Sequence, residues 1–240
     1  MKNIIFCSII VILGLSGCMM FSGIRLKGDG NVTIEERPVS SFNKIKIDGV
    51  FKVHLTQGNA EKVEVEIDQN LQQYVNITNK ETTLFIDFDK GVRLGKTTEN
   101  NIYITLKEID QLNISGVCTV TTRSTIQSDK LQLDVNGVSN SSLELKCNQL
   151  DAKITGVGNV ELVGEAHEFT VKNSGVGNLT AENLKSDIVD IKNSGVGSTS
   201  VYASQELYLK NSGVGSIYYS GDAIIKAIES SGVGKITKSK

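Results

Sequence analysis

The stretch DIKNSGVGSTSVY, residues 190 to 202, carries a five-letter word, NSGVG, that is spelled again at 173–177 and 211–215. One such word could cradle a phosphate, because glycine amides close around an anion where bulkier residues hinder the approach. Recurrence argues otherwise. The Gly-Val pair returns at Gly116, Gly137, Gly156, Gly175, Gly195, Gly213 and Gly232, in steps of 21, 19, 19, 20, 18 and 19 residues. A period near 20 is the mark of a solenoid, whose repeats bury their apolar faces only by stacking on neighbours.

Counting from each glycine exposes the interior of one repeat. Positions minus six, minus four and minus two hold Leu131, Leu133 and Val135, then Leu150, Ala152 and Ile154, then Phe169, Val171 and Asn173. These alternate with polar residues, so the segment is a strand with that set inward. A second alternation starts four residues after the glycine, as in Val160 and Leu162 or Leu179 and Ala181. Parallel stacking of such coils, about 4.8 Å apart, predicts an all-β fold, a right-handed parallel β-helix with coils of about 19–20 residues. Asn173, Asn193 and Asn211 fall in an inward phase, where stacked amides can bond to one another. Val117, Val138, Val157, Val176, Val196, Val214 and Val233 are expected to stack as an inward corner column. The first glycine of the word is expected to need positive φ or close backbone approach. The second, replaced by Cys118 and Ser139 in two units, needs only to be small.

The N-terminus reads as a processing signal covering residues 1–17. A short basic region precedes the apolar IIFCSIIVILGL, residues 4–15, which is too short to span a bilayer as a helix. The following LSGC resembles a bacterial lipobox, which implies lipidation of Cys18 and a membrane anchor. Met19 stands where an inner-membrane retention aspartate would be, so the expected location is the cell envelope, at the outer membrane. Residues 18–36 are read as a tether, 37–110 as irregular strands or a cap, and 111–240 as regular coils. Between Gly49 and Gly116 there is room for three longer coils, which either continue the solenoid or form a separate cap.

Composition excludes more than it assigns. A formal net charge of −2 gives no sign of nucleic-acid binding. Cys118 and Cys147 lie at different phases of the repeat, which predicts two buried thiols and no bridge. His54 and His167 have no metal-ligand spacing around them, and KGVRLGKTT, residues 90–98, misses the phosphate-loop spacing. No metal or cofactor is expected.

The entry RPVSSFNKIKIDGVFKVHLTQG, residues 37–58, the serial SGVG words, and the closing IYYSGDAIIKAIESSGVGKI, residues 217–236, resemble the putative auto-transporter adhesin head GIN domain family. The resemblance covers about residues 37–240. It implies a right-handed β-helix exported to the envelope, often as a lipoprotein, and carries over no catalytic residue. This chain has Val where many members have Ala within SGxG.

The function expected is a non-enzymatic envelope lipoprotein, serving as an adhesin, binding module or scaffold. A polysaccharide lyase or hydrolase on a β-helix is the alternative. It would need clustered carboxylates, whereas Asp134, Asp151, Asp190 and Glu229 are spread over two phases among Lys and Thr. One feature points at a partner: Lys153, Lys172, Lys192 and Lys210 each lie three residues before a glycine and should form an outward row. With Tyr208 and Tyr218 as stacking platforms, that row would suit an acidic polysaccharide or surface glycan. The plainer reading is a solvated face neutralised by Asp151 and Asp190.

Overall fold

Strict alternation of branched or aromatic residues with polar ones commits most of the chain to strands. The computed structural model describes residues 24–239, and the segment read as a processing signal and Cys18 lie outside them. The N-terminal part comprises β1 (Ile24–Leu26), β2 (Val32–Arg37), β3 (Lys44–Gln57), β4 (Lys62–Asp68), a 3-10 helix (Gln69–Tyr74), β5 (Val75–Lys80), β6 (Thr83–Phe88), β7 (Val92–Leu94) and β8 (Asn100–Leu106). The coils follow as β9 (Gln111–Thr122), β10 (Ile126–Val135), β11 (Val138–Ile154), β12 (Val157–Asn173), β13 (Leu179–Asn193), β14 (Thr199–Asn211), β15 (Ile217–Ser220), β16 (Ile224–Ser230) and β17 (Ile236–Lys238). Together they form a β-solenoid of about seven turns.

Parallel register sets like on like. Leu131, Leu150, Phe169, Val189, Leu207 and Ile225 form one inward column through successive pairings. From Leu131 to Leu207 every member is buried, and full burial of each such side chain contributes about 1.5–3 kcal/mol. The asparagine column is also inward and buried. Asn193 Nδ2 donates to Asn211 Oδ1 at 3.0 Å, and Asn211 Nδ2 to the Gly215 carbonyl at 2.9 Å. The ladder has a gap, because Asn173 Nδ2 and Asn193 Oδ1 find no partner. Cys118 and Cys147 are free, as their phases predicted, and burial pushes each thiol up to about 11.

Two expectations about the glycine word are corrected. The valine column points outward: Val50, Val117 and their successors through Val233 are 40–73 % exposed. The first glycine continues the inward alternation, so its neighbour one step on must face solvent. Close approach at the first glycine is as expected, but the second glycine needs more than a small side chain. Gly195 owes its place to close approach, since a Cβ there would meet the Gly175 carbonyl oxygen at 2.3 Å. It is Gly197, the second glycine, that has positive φ, +128°, and a Cβ there would lie 2.0 Å from the Gly177 oxygen.

The 67-residue interval is not three further coils. β3 stacks directly on β9, with Gly49 beside Gly116, and on its other side pairs with β6 and β8. The chain therefore leaves β3, builds the end of the solenoid, and returns to continue from β3's opposite edge. At that end β5 pairs antiparallel with β6, and β4 pairs antiparallel with β8 and β2. Residues 37–110 thus supply both a continuation and a cap.

From Ile24 onward the segment read as a tether is part of this cap. β1 pairs with β7, and Asp68 fastens the connection. Its buried carboxylate accepts from the Gly30 amide, the Thr98 amide and the Thr98 hydroxyl at 2.8, 2.8 and 2.9 Å. Burial opposes the charge, yet these donors hold the carboxyl below the usual aspartate value. With the folded pKa depressed, the clamp stabilises fully above about pH 3.9 and is lost as pH falls through the lower folded value. On acidification, hydrogen exchange in residues 24–31 and 92–98 should rise before that in β12, and Asp68→Asn should abolish this pH dependence. Uniform exchange at all pH values would contradict the clamp.

Candidate functional site

A groove runs across the coils on the face that follows the glycine turn. Its floor is an inward column of small residues, Ser128, Cys147, Ala166, Ser186 and Ala203, stacked by register. Small side chains let each coil bend inward there. Beside the floor stands an outward column of Gln127, Lys146, Glu165, Lys185 and Tyr202. Across the bend the ladder pairing skips Asp129, Asn148, His167 and Asp187, which project from the opposite rim. The two rims enclose an open groove of about 940 Å³ that also reaches Glu108 and Asp110.

Polar contacts run along each rim. Lys146 pairs with Glu165 at 2.9 Å, and the Lys185 ammonium lies 4.0 Å from the Tyr202 ring centroid. On the other side Asn148 Nδ2 donates to Asp129 at 2.5 Å, His167 Nδ1 lies 2.7 Å from Asp187, and the Ser204 hydroxyl donates to Asp187 at 2.6 Å. The Ser204 hydroxyl, then His167, hold the Asp187 carboxyl below its ordinary value. A general acid working near neutral pH needs the opposite shift. Five carboxylates against two lysines leave the groove with excess negative charge. Fixed carboxylate, amide, hydroxyl and aromatic groups are what uncharged, hydroxyl-rich chains require for hydrogen bonding and stacking.

The lysine row forms as its spacing predicts. Lys153, Lys172, Lys192 and Lys210 are successive register partners, flanked by Asp134 below and Glu229 above. Two are neutralised: Lys192 pairs with Asp190 at 3.1 Å and Lys210 with Glu229 at 2.6 Å. Asp151 turns instead to Lys130 at 3.6 Å. Tyr208 lies in the adjoining outward column, beside Asp190, and its hydroxyl donates to Glu206 at 2.8 Å. Tyr218 stands apart, stacked between Ser200 and Thr237 beyond the glycine turn.

Elsewhere, His54 is held by Thr121 at 2.9 Å and Asn101 at 3.4 Å and stacks on Tyr103. Burial, then the charge of Arg123, push its pKa down. Among the described residues no three His, Cys, Asp or Glu side chains are arranged to hold a metal. No helix of the described residues is long and apolar enough to cross a membrane.

Fold and surface together define a β-solenoid that displays repeated side chains along a groove and a lysine row. The chain belongs to the family described as putative auto-transporter adhesin, head GIN domain, whose model matches residues 41–223. Solved structures agree. A putative adhesin from Bacteroides fragilis is 28% identical, with a TM-score of 0.85 over 89% of this chain and 100% of that one. A putative adhesin from Parabacteroides merdae is 25% identical, with a TM-score of 0.71 over 90% and 99%. Another from Parabacteroides distasonis is 26% identical, with a TM-score of 0.70 over 89% and 100%. No curated protein matches the chain.

Proposed function

We propose that this chain is a non-enzymatic lipoprotein of the cell envelope, anchored at the outer membrane through Cys18, whose solenoid binds an extended glycan in the groove. The observation that carries the reading is the construction of the groove from successive coils, each adding one residue to either rim. Five coils span about 19 Å at the usual strand spacing, so a chain molecule lying along the axis meets a new pair of rim residues at each step. The adhesin naming of the relatives supports a binding role. Excess negative charge favours an uncharged glycan over an acidic one. The depressed Asp187 carboxyl does not suit the general acid of a hydrolase.

A second reading rests on the in-register lysine row, which would take an acidic polysaccharide. Two sets of variants separate them on a panel of neutral and acidic glycans. Tyr202→Ala with Asp187→Asn should weaken neutral-glycan binding about tenfold or more, equivalent to about 1.4 kcal/mol, with little salt dependence. Lys172→Gln, Lys192→Gln and Lys210→Gln together should leave it unchanged. Salt-sensitive binding of acidic glycans, lost in the lysine variant alone, would favour the second reading. Absence of wild-type binding across the panel would refute both.

A further inference from the structure

The coil that holds β16 departs from the pattern of the others. β16 stacks on β14 with Ile225 over Leu207 and Ile228 over Leu209. Those leucines are 0 and 2 % exposed, whereas Ile225 and Ile228 are 42 and 50 % exposed. They occupy core positions with nothing above them among the described residues. All of β16 is exposed, and it pairs only with β14, so its outer backbone edge is unpartnered among the described residues. An apolar strand with a free edge is a template for pairing with another chain, and solenoids ordinarily need a polar terminal coil. The opposite end of this solenoid is closed by antiparallel β2, β4 and β5. A second copy therefore finds no parallel edge there on which to continue the stack.

We infer that two copies of this chain join by their open ends, β16 pairing antiparallel with β16 of the other copy about a two-fold axis near Ile228. Charge supports this occupant. Lys226 and Glu229 lie on opposite sides of Ile228 in sequence and are tied to Glu206 at 3.2 Å and Lys210 at 2.6 Å. Antiparallel pairing about Ile228 sets Glu229 of one copy opposite Ala227 of the other, with Lys226 next to that alanine in sequence, so opposite charges of the two copies are diagonal neighbours. Ile228 then closes over Ile228 of the other copy, and Ile225 over that copy's Ser230 and Ser231. The contact uses the same patch on both copies and ends at a dimer. It leaves the groove free on each copy, pointing the two capped ends apart.

The test uses the full-length chain in the envelope of intact cells. Ile228→Cys, treated with a mild oxidant, should give a disulfide-linked dimer on a non-reducing gel. On that gel wild type, whose Cys118 and Cys147 are buried, and Ile34→Cys on the cap should both run at the mass of one chain. In detergent, light scattering should give twice the chain mass for wild type and the single mass for Ile225→Lys with Ile228→Lys. If the lysine variant does not fold, the cysteine variant decides alone. Monomeric Ile228→Cys, wild type at the single mass, or a ladder of species beyond the dimer would overturn the proposal.

Discussion

Serine in place of Gly197 should lower the melting temperature by roughly 10 °C. Two costs combine. At φ +128° a side chain is strained, by about 1–3 kcal/mol. Its Cβ would also lie 2.0 Å from the Gly177 carbonyl oxygen, and forcing coils apart costs about 1–3 kcal/mol more. Each kcal/mol moves the transition of a domain this size by about 2–4 °C. Gly195→Ala bears only the second cost and should fall between Gly197→Ser and wild type. Ser139→Gly, at the same phase in a coil whose backbone suits a side chain, should cost no more than about 1 kcal/mol. Equal melting temperatures for Gly197→Ser and Ser139→Gly would show that the coils do not approach as described.

Phe51→Ala should be the costliest change at the cap, at about 3–5 kcal/mol. The ring is buried where β3 passes between the cap and β9, stacked on Phe88 with centroids 4.6 Å apart and planes within 7°. It also fills the space beside Gly49, where a Cβ would meet it at 2.4 Å. Removing it opens a cavity under β6 and detaches the β5–β6 hairpin from the coil below. Denaturant titration should report the loss, and hydrogen exchange should rise in β5 and β6 more than in β13. A loss below about 1 kcal/mol, or exchange unchanged in the hairpin, would mean that the cap is held elsewhere.

Much of this architecture was legible because one coil repeats another. The glycine period, the inward sets at minus six, four and two, the asparagine column and the lysine row all follow from counting, and register confirms each. The valine column runs against residue type because parity decides it: with Gly195 inward, Val196 must face solvent. The excursion from β3 was hidden because antiparallel strands such as VEVEI, residues 63–67, alternate as coil strands do. The groove is not legible in the repeat because its floor drifts against the glycine. Cys147 and Ala166 lie ten residues after theirs, but Ser186 lies eleven and Ala203 eight. Pairing irregularities between β12 and β13 and between β13 and β14 absorb the drift and restore the column. No count from a fixed origin would have aligned those small residues.

The glycan-binding claim is tested most directly by where a bound ligand protects the chain. Hydrogen exchange of the wild-type protein, with and without the best binder from the neutral glycans, should show protection in residues 127–129, 146–148, 165–167, 185–187 and 202–204. Protection should be weak or absent at Lys153, Lys172, Lys192 and Lys210. Protection centred on those lysines, or none at either place with ligand bound, would contradict the groove as the binding site.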